Sequence, residues 1–370
     1  MDSFKGSLDA VAACAAVRDG IRRARPEWDV RCRPIADGGE GTAQTILDAL
    51  GGEWRRRRVH GPLPNQRVTA DFAWIPRRSL AVVETASAAG LTLVPPRRRN
   101  PELATSYGVG QLIRAAARLQ PRRLMLGLGG SATVDGGVGM AMALGWRVLD
   151  ARGRPLGLGG AALRKIHAIA GGPAIPLPRV EALCDVTNPL LGPSGAARVF
   201  GPQKGADAAM VRRLEEGLAR LADVVRRDLG LSLADLSGGG AAGGLGAGAV
   251  AFLGARLRPG IETVLKTVRM NATVRGATWV ITGEGCFDAT SMKGKAVSGV
   301  AKAAVRAGAR VVVFAGLIRL PRRVWKNAGI ETAIPLAANP RETPACMRNA
   351  ALRLRQVAER WAREVGEFSE

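Results

Sequence analysis

Four glycine-rich segments hold most of the carboxylates and lysines that stand in this chain as if placed rather than solvated. They are Ala36-Asp37-Gly38-Gly39-Glu40-Gly41-Thr42; residues 127–137, with Gly129, Gly130, Ser131, Thr133 and Asp135; residues 237–248, with Gly243 and Gly244 among seven glycines; and Thr282-Gly283-Glu284-Gly285-Cys286-Phe287-Asp288, with Lys293 and Lys295 close behind. Glycine lets backbone N–H groups approach an anion closely, and a helix N-terminus after such a loop favours phosphate through its unpaired donors and its dipole. Carboxylates in such loops can hold Mg2+ or take a hydroxyl proton, and lysines can neutralise phosphate charge. Two shorter stretches add candidates: Cys184-Asp185-Val186-Thr187-Asn188-Pro189, and Lys204 in the turn Gly201-Pro202-Gln203-Lys204-Gly205. Each has a plain alternative, namely a tight turn for a glycine loop, an Asx-turn or cap for Asp185 and a solvated charge for Lys204. Neither common nucleotide fingerprint is present. G-x-G-x-x-G fails at Ala132, and a Walker A fails at Ala289 and Ala296.

The elements that must position these residues alternate. β-rich runs at 30–35, 68–75, 80–84, 124–128, 146–149, 180–184, 279–282 and 311–315 are separated by Ala-rich helical stretches, the pattern of an α/β protein with parallel strands. The last two runs are apolar without alternation, as expected for strands covered on both faces. Three of the four glycine segments follow a strand, which puts them at the carboxyl edge of a sheet, where open α/β folds bind ligands. Ser7 is expected to cap a helix presenting Leu8, Val11, Ala12 and Ala15, and residues 343–365 a terminal helix with a stripe of Met347, Ala351, Leu354, Val357, Ala358, Trp361 and Val365. The Pro/Gly-rich stretches 61–64, 153–160 and 171–178 read as turns or hinge connections, and the β-rich regions they separate suggest an inserted second domain.

Composition narrows the function classes. With 370 residues, 47% apolar and 23% charged, the chain is globular and long enough for two domains. A net charge of +23 raises nucleic acid as a partner. Only eight of the 54 basic residues are lysine, however, and the arginines scatter through every segment, with short dense runs at 55–58 and 97–99. Aromatics are 4%, with Tyr107 the single tyrosine, so a base-stacking platform is not expected and neither is a specific nucleic acid. Five widely spaced cysteines without C-x-x-C argue against a disulfide framework or structural zinc, and two histidines nearly exclude a His-based triad or metal cluster. No apolar run is long enough to span a bilayer. The expected setting is cytoplasmic, with no membrane partner.

Read together and in order, Asp2-Ser3-Phe4-Lys5-Gly6-Ser7-Leu8, residues 34–42, Thr105-Ser106-Tyr107-Gly108-Val109-Gly110, and residues 129–139, 184–192, 199–206, 240–255 and 281–288 resemble the type-1 glycerate kinase family. The resemblance implies a two-domain α/β fold. A Rossmann-like parallel-sheet domain, placed at 1–60 plus 270–370, would carry an inserted α/β domain at 61–269, with the active site in the interdomain cleft. It also implies ATP and Mg2+, with D-glycerate phosphorylated in line, to 2-phosphoglycerate in preference to 3-phosphoglycerate; a homodimer stays open.

Residue chemistry and motif membership together assign Lys5, Ser7 and Lys204 to anionic groups, and Asp185 or Asp37 as base. Glu284 and Asp288 would serve the metal. Gly38, Gly39, Gly129, Gly130, Ser131, Thr133, Asp135, Asn188, Gly243, Gly244 and Lys295 would serve substrate or phosphate. The chain departs from the family at Val134 (usually Asn), Cys286 (Arg), Thr290 (Gln) and Val297 (Pro). Met1 stands where a short apolar strand usually precedes the motif, so the first strand is expected to be missing or the true start to lie upstream. The alternatives are a homologue impaired by these departures, a kinase for another small hydroxy acid, and a nucleotide-linked oxidoreductase.

Overall fold

The computed structural model describes residues 1–4 and 6–367. The chain divides into two compact units, a central one of residues 38–260 and a terminal one of residues 1–37 with 261 onward. Both are α/β.

The central unit is built on β1 (Glu53–His60), β2 (Arg67–Ile75), β3 (Leu80–Glu84), β4 (Arg123–Gly127), β5 (Arg147–Asp150), β6 (Ile166–Ala170), β7 (Arg179–Leu183) and β8 (Arg256–Arg258). Six of these form one sheet in the order β1-β2-β3-β4-β7-β8, and β5 and β6 form an antiparallel pair of their own. The sheet is antiparallel from β1 to β3 and parallel from β3 to β8. Leu80, Val82, Leu124 and Leu126 are at most 1% exposed, which is why β3 and β4 are apolar without alternation. The register sets Glu84, Gly127, Leu183 and Arg258 side by side, so the residues after all four strands emerge at one carboxyl edge.

Helices Tyr107–Ala117 and Ala241–Leu253 contribute Val109, Leu112, Ile113, Leu245 and Ala249 to the core against this sheet. Helix Ala208–Leu229 is capped by Asp207, which accepts from Met210 N–H at 2.7 Å, and stops at the left-handed Gly230. Its Leu214, Leu218, Leu221 and Val225 pack with Leu163 and Phe252 in a second core.

In the terminal unit β9 (Trp279–Phe287), β10 (Arg310–Ile318) and β11 (Ile330–Pro335) form a parallel sheet in the order β11-β10-β9. Helices Ala296–Arg306 and Arg322–Asn327 lie in the two connections. Helix Ala10–Ala24 packs against Ala350–Glu367 so closely that a Cβ on Gly20 would lie 2.2 Å from the Arg355 carbonyl. Trp361 meets Trp28, Trp279 and Phe314 edge-on, with ring centres 6.2, 5.1 and 5.8 Å away.

Several expectations change. The helix near the start begins at Ala10 and is capped by Asp9, which accepts from Ala12 N–H at 2.7 Å, while the Ser7 hydroxyl donates to the Phe4 carbonyl inside a preceding turn. Its buried face is therefore Ala13, Cys14, Val17 and Ile21, and Val11 is exposed. The terminal helix is two helices, Thr343–Arg348 and Ala350–Glu367, and it is Leu354, Ala358, Trp361 and Ala362 that are enclosed, with Met347 exposed. Residues 30–35 join no sheet. The unit boundaries fall at 37/38 and 260/261 rather than 60/61 and 269/270, because β1 pairs along its whole length with β2 and so belongs to the central unit.

Alanine for glycine inside a helix normally stabilises by about 1 kcal/mol. Gly20→Ala is expected to do the reverse, losing about 1–3 kcal/mol through overpacking against Arg355, measured by urea denaturation.

Candidate active site

Each unit carries one cluster of chemistry-bearing residues. In the central unit the carboxyl ends of β3, β4 and β7 supply it. Glu84 ends β3 and its carboxylate accepts from Ala43 N–H at 2.7 Å, with Gly41 and Thr42 N–H also bonded, at the start of helix Thr42–Leu50. Burial pushes the Glu84 carboxyl above its usual range, those N–H groups pull it back, and the Glu40 charge adds to the rise. Beside it Gly129 and Gly130 open the loop after β4. A Cβ on Gly129 would lie 2.8 Å from the Gly39 Cα, and one on Gly130 2.2 Å from Glu40 Oε1. Glycine is thus required for the loop at 127–131 to lie on residues 38–40. Gly38 itself has φ +98° and sits where a Cβ would be 2.8 Å from the Gly260 Cα. Asp185, half-buried after β7, accepts from Gly260 N–H at 2.7 Å through Oδ1, which fixes the orientation of the carboxylate.

Behind this edge lies a buried polar set. Asp135 is 1% exposed and accepts from Ser106 N–H and hydroxyl at 2.7 and 2.9 Å and from Gly137 N–H at 3.2 Å. It therefore anchors the starts of helices Tyr107–Ala117 and Val138–Leu144, and burial raises its carboxyl against the pull of those bonds. Lys204 is 3% exposed, and its ammonium donates to Ser131 Oγ at 3.0 Å and to the Thr133 carbonyl at 2.8 Å. Burial pushes it down to about 7, opposed by the charge of Asp135. The ammonium thus braces the Ser131-Ala132-Thr133 loop from inside instead of projecting into solvent. The Thr133 hydroxyl is buried without a partner among the described residues.

Gly243 and Gly244 have left-handed backbone, and a Cβ on Gly243 would lie 1.9 Å from the Thr133 carbonyl. These two glycines pack the third glycine segment against the second. Asn188 donates to the Ser194 carbonyl at 2.8 Å and holds its own loop. Val134 is fully buried in the Leu214–Leu218 core, so the side chain at that departure faces apolar neighbours.

In the terminal unit the cluster gathers at the end of β9. Glu284 Oε1 is buried with no hydrogen-bond partner among the described residues. Burial pushes its carboxyl up to about 7; a bond from the Ser291 hydroxyl and the Lys295 charge lower it, and the charges of Asp2 and Asp288 raise it further. Asp288 is held low, chiefly by the Thr290 hydroxyl at 2.7 Å, and Lys295 donates to that same hydroxyl oxygen at 2.9 Å. Cys286 is half-buried 4.0 Å from Asp288 Oδ2, and burial keeps its thiol protonated above the ordinary range. Asp37 is half-buried at the first crossing between the units, Ser7 is engaged in its turn, and Lys5 lies outside the described residues.

Carboxylate oxygen is the donor that a hard cation such as Mg2+ takes, and the partnerless Glu284 Oε1 beside further negative charge fits that chemistry. No three His, Cys, Asp or Glu side chains converge among the described residues. A site completed by substrate phosphates needs only one or two carboxylates. Glu84, Ser106 and Ser291 were missed from sequence. A carboxylate closing an apolar strand just before Thr85-Ala86-Ser87 was the available signal for the first.

A carboxyl raised in the folded state costs stability as it ionises. Glu284 contributes no such loss below its unfolded value near 4.5, and stability falls as pH rises from there through about 7. Glu284→Gln is expected to flatten that fall, read as the difference in Tm between the two proteins from pH 4.5 to 8. Lys204→Met should lower stability by about 1–3 kcal/mol, because it strands the Ser131 hydroxyl and the Thr133 carbonyl in the interior, measured by chemical denaturation.

The comparisons agree with one another. The profile of the Glycerate kinase family matches residues 1–366. A glycerate kinase of Halalkalibacterium halodurans is 43% identical over 360 residues, covering 96% of this chain and 94% of its own. The glycerate 2-kinase of Escherichia coli K12 is 41% identical over 333 residues, 89% and 87% of the two chains. A crystal structure from Salmonella typhimurium LT2, provisionally assigned as glycerate kinase 2, superposes with a TM-score of 0.84 at 38% identity, over 100% of this chain and 97% of that one. With strand-end loops that carry carboxylates and glycines in family order, and matches that run nearly end to end, the chain belongs to the glycerate kinase family.

Proposed function

We infer that this enzyme transfers the γ-phosphoryl group of ATP to a hydroxyl of D-glycerate, with the 2-hydroxyl as acceptor. The observation that carries this reading is the alignment of the β3, β4 and β7 ends, which gathers Glu84, the 129–131 loop and Asp185 at one edge of the central sheet. In-line transfer asks the protein mainly for positioning and charge compensation.

The hydroxyl oxygen forms its bond to phosphorus as the bond to ADP breaks, and the hydroxyl proton passes to a carboxylate. Asp185 is the preferred acceptor, oriented by Gly260 N–H, with Asp37 the second candidate. Gly129 and Gly130 are assigned to anionic oxygens, and Lys204 keeps Ser131 in place beside them. Ser7, Lys5 and Lys295 are assigned to anionic groups. Glu284 and Asp288 would hold Mg2+, which when bound offsets phosphate charge. The relatives named glycerate kinase and glycerate 2-kinase support the acceptor and the 2-position.

Incubation with ATP, Mg2+ and D-glycerate, followed by phosphorus NMR, is expected to give 2-phosphoglycerate. A 3-phosphate signal would correct the regiochemistry, and no transfer by folded protein would remove the reading. Asp185→Asn is expected to lower turnover about 10²–10⁴-fold with unchanged tryptophan emission; near-normal turnover would transfer the role of base to Asp37.

A further inference from the structure

Of the consecutive arginines at 97–99, the third is placed differently from the other two. Arg97 and Arg98 are exposed on the short helical turn Pro96–Arg98, whereas Arg99, which ends that turn, is half-buried. Arg99 Nε is buried and has no hydrogen-bond partner among the described residues. A guanidinium keeps its charge throughout the pH range of folded proteins, so an enclosed N–H that meets neither water nor an acceptor is unfavourable.

The carboxylates of this region are engaged elsewhere. Glu102 gives both oxygens to Arg213, at 2.7 and 3.0 Å. Asp207 caps helix Ala208–Leu229, and Asp135 is bonded to Ser106 and Gly137. Lys204, the neighbouring cation, is turned inward to Ser131 and Thr133.

Arg99 also stands beside the loops of the site edge. Gly205 has φ +94°, and a Cβ on it would lie 2.5 Å from the Arg99 carbonyl oxygen and 2.9 Å from the Arg99 Cβ. Arg99 therefore rests on the turn that carries Lys204. Val94 and Ala104, which flank Arg99 in sequence, pack in one cluster with Ala132. Leu91 N–H donates to the Gly130 carbonyl at 2.7 Å. The segment 91–104 thus lies along the 130–132 loop, and Arg99 brings to it a cation with an unused donor.

We propose that Arg99 is a specificity-determining residue, whose guanidinium receives a pair of anionic oxygens through Nε and the adjacent Nη, the pair being the carboxylate of the hydroxy-acid acceptor. The proposal rests on the kinase reading above and deepens it. The planar fork of arginine matches a carboxylate with two parallel N–H···O bonds, and the edge that contains Nε is one such pair of donors. A site built in this way rejects an acceptor that has the hydroxyls and lacks the carboxylate, such as glycerol, because the guanidinium would then stay enclosed and unpaired.

The test measures kcat and KM, for D-glycerate and for ATP, in the parent, Arg99→Met, Arg99→Lys and the exposed control Arg97→Met. Arg99→Met is expected to raise KM for D-glycerate about 10–100-fold, with KM for ATP nearly unchanged. Arg99→Lys keeps the charge without the fork and should fall between, and Arg97→Met should match the parent. A rise in KM for ATP instead assigns the fork to a nucleotide phosphate and overturns the carboxylate. Lower kcat or Tm with both KM values unchanged makes Arg99 structural and overturns the proposal. An equal rise in Arg97→Met means that the general field of the arginine run acts, which overturns it too. The shift in Tm with D-glycerate or with inorganic phosphate, each without ATP, reads the site apart from turnover. Stabilisation of the parent by D-glycerate that is lost in Arg99→Met supports the site even without phosphoryl transfer, a result that would remove the reaction alone. Arg99→Lys serves the same comparison if Arg99→Met does not fold. Equal shifts in parent and variant, a shift with phosphate only, or none in the parent overturn the carboxylate site.

Discussion

Along the carboxyl edge of the six-stranded sheet, backbone must lie directly on backbone, and no Cβ fits between. The Gly127–Gly130 turn rests on residues 38–40, and the glycine segment at 243–248 rests on residues 133–137. Their main-chain donors are brought to one rim as a consequence. Glycine is here a dimensional requirement, and it explains why these segments are so dense in one residue type.

Close stacking leaves little water, and the polar groups inside need internal partners. Asp135 and Glu84 solve the same problem in the same way, each offering a carboxylate to the N–H groups at helix starts. Lys204 then joins the loop of Ser131 to the buried set around Asp135. The loops of this edge therefore rest on hydrogen-bonded charged groups beneath them. In the terminal unit the balance differs: Glu284 keeps one buried oxygen without a hydrogen-bond partner among the described residues.

Much of this was legible in the residues. The run at 80–84 coincides with β3, and the strand-then-glycine order located the loop after β4, whereas the glycine segment expected to follow a strand at 279–282 runs on within β9 as far as Phe287. What could not be read has physical causes. β1 is rich in arginine and carries a single β-branched residue, Val59, so its pairing with β2 overrode propensity. The cap passed from Ser7 to Asp9 because Ser7 was already bonded within its turn. What the sequence does not show of Lys204 and Asp135 is their burial, with the Lys204 ammonium bonded to the 131–133 loop and the Asp135 carboxylate bonded to Ser106 and Gly137.

The arginines of β1 carry one further consequence. This strand is the outermost of its sheet, and Arg55, Arg56, Arg57 and Arg58 follow one another along it, with Arg56 paired to Asp71 at 3.0 Å. An open strand edge is a template on which a second copy could add its own edge and begin a growing stack. Four consecutive cations make such an approach a meeting of like charges. Part of the chain's basic excess is thus colloidal insurance for an uncovered β edge.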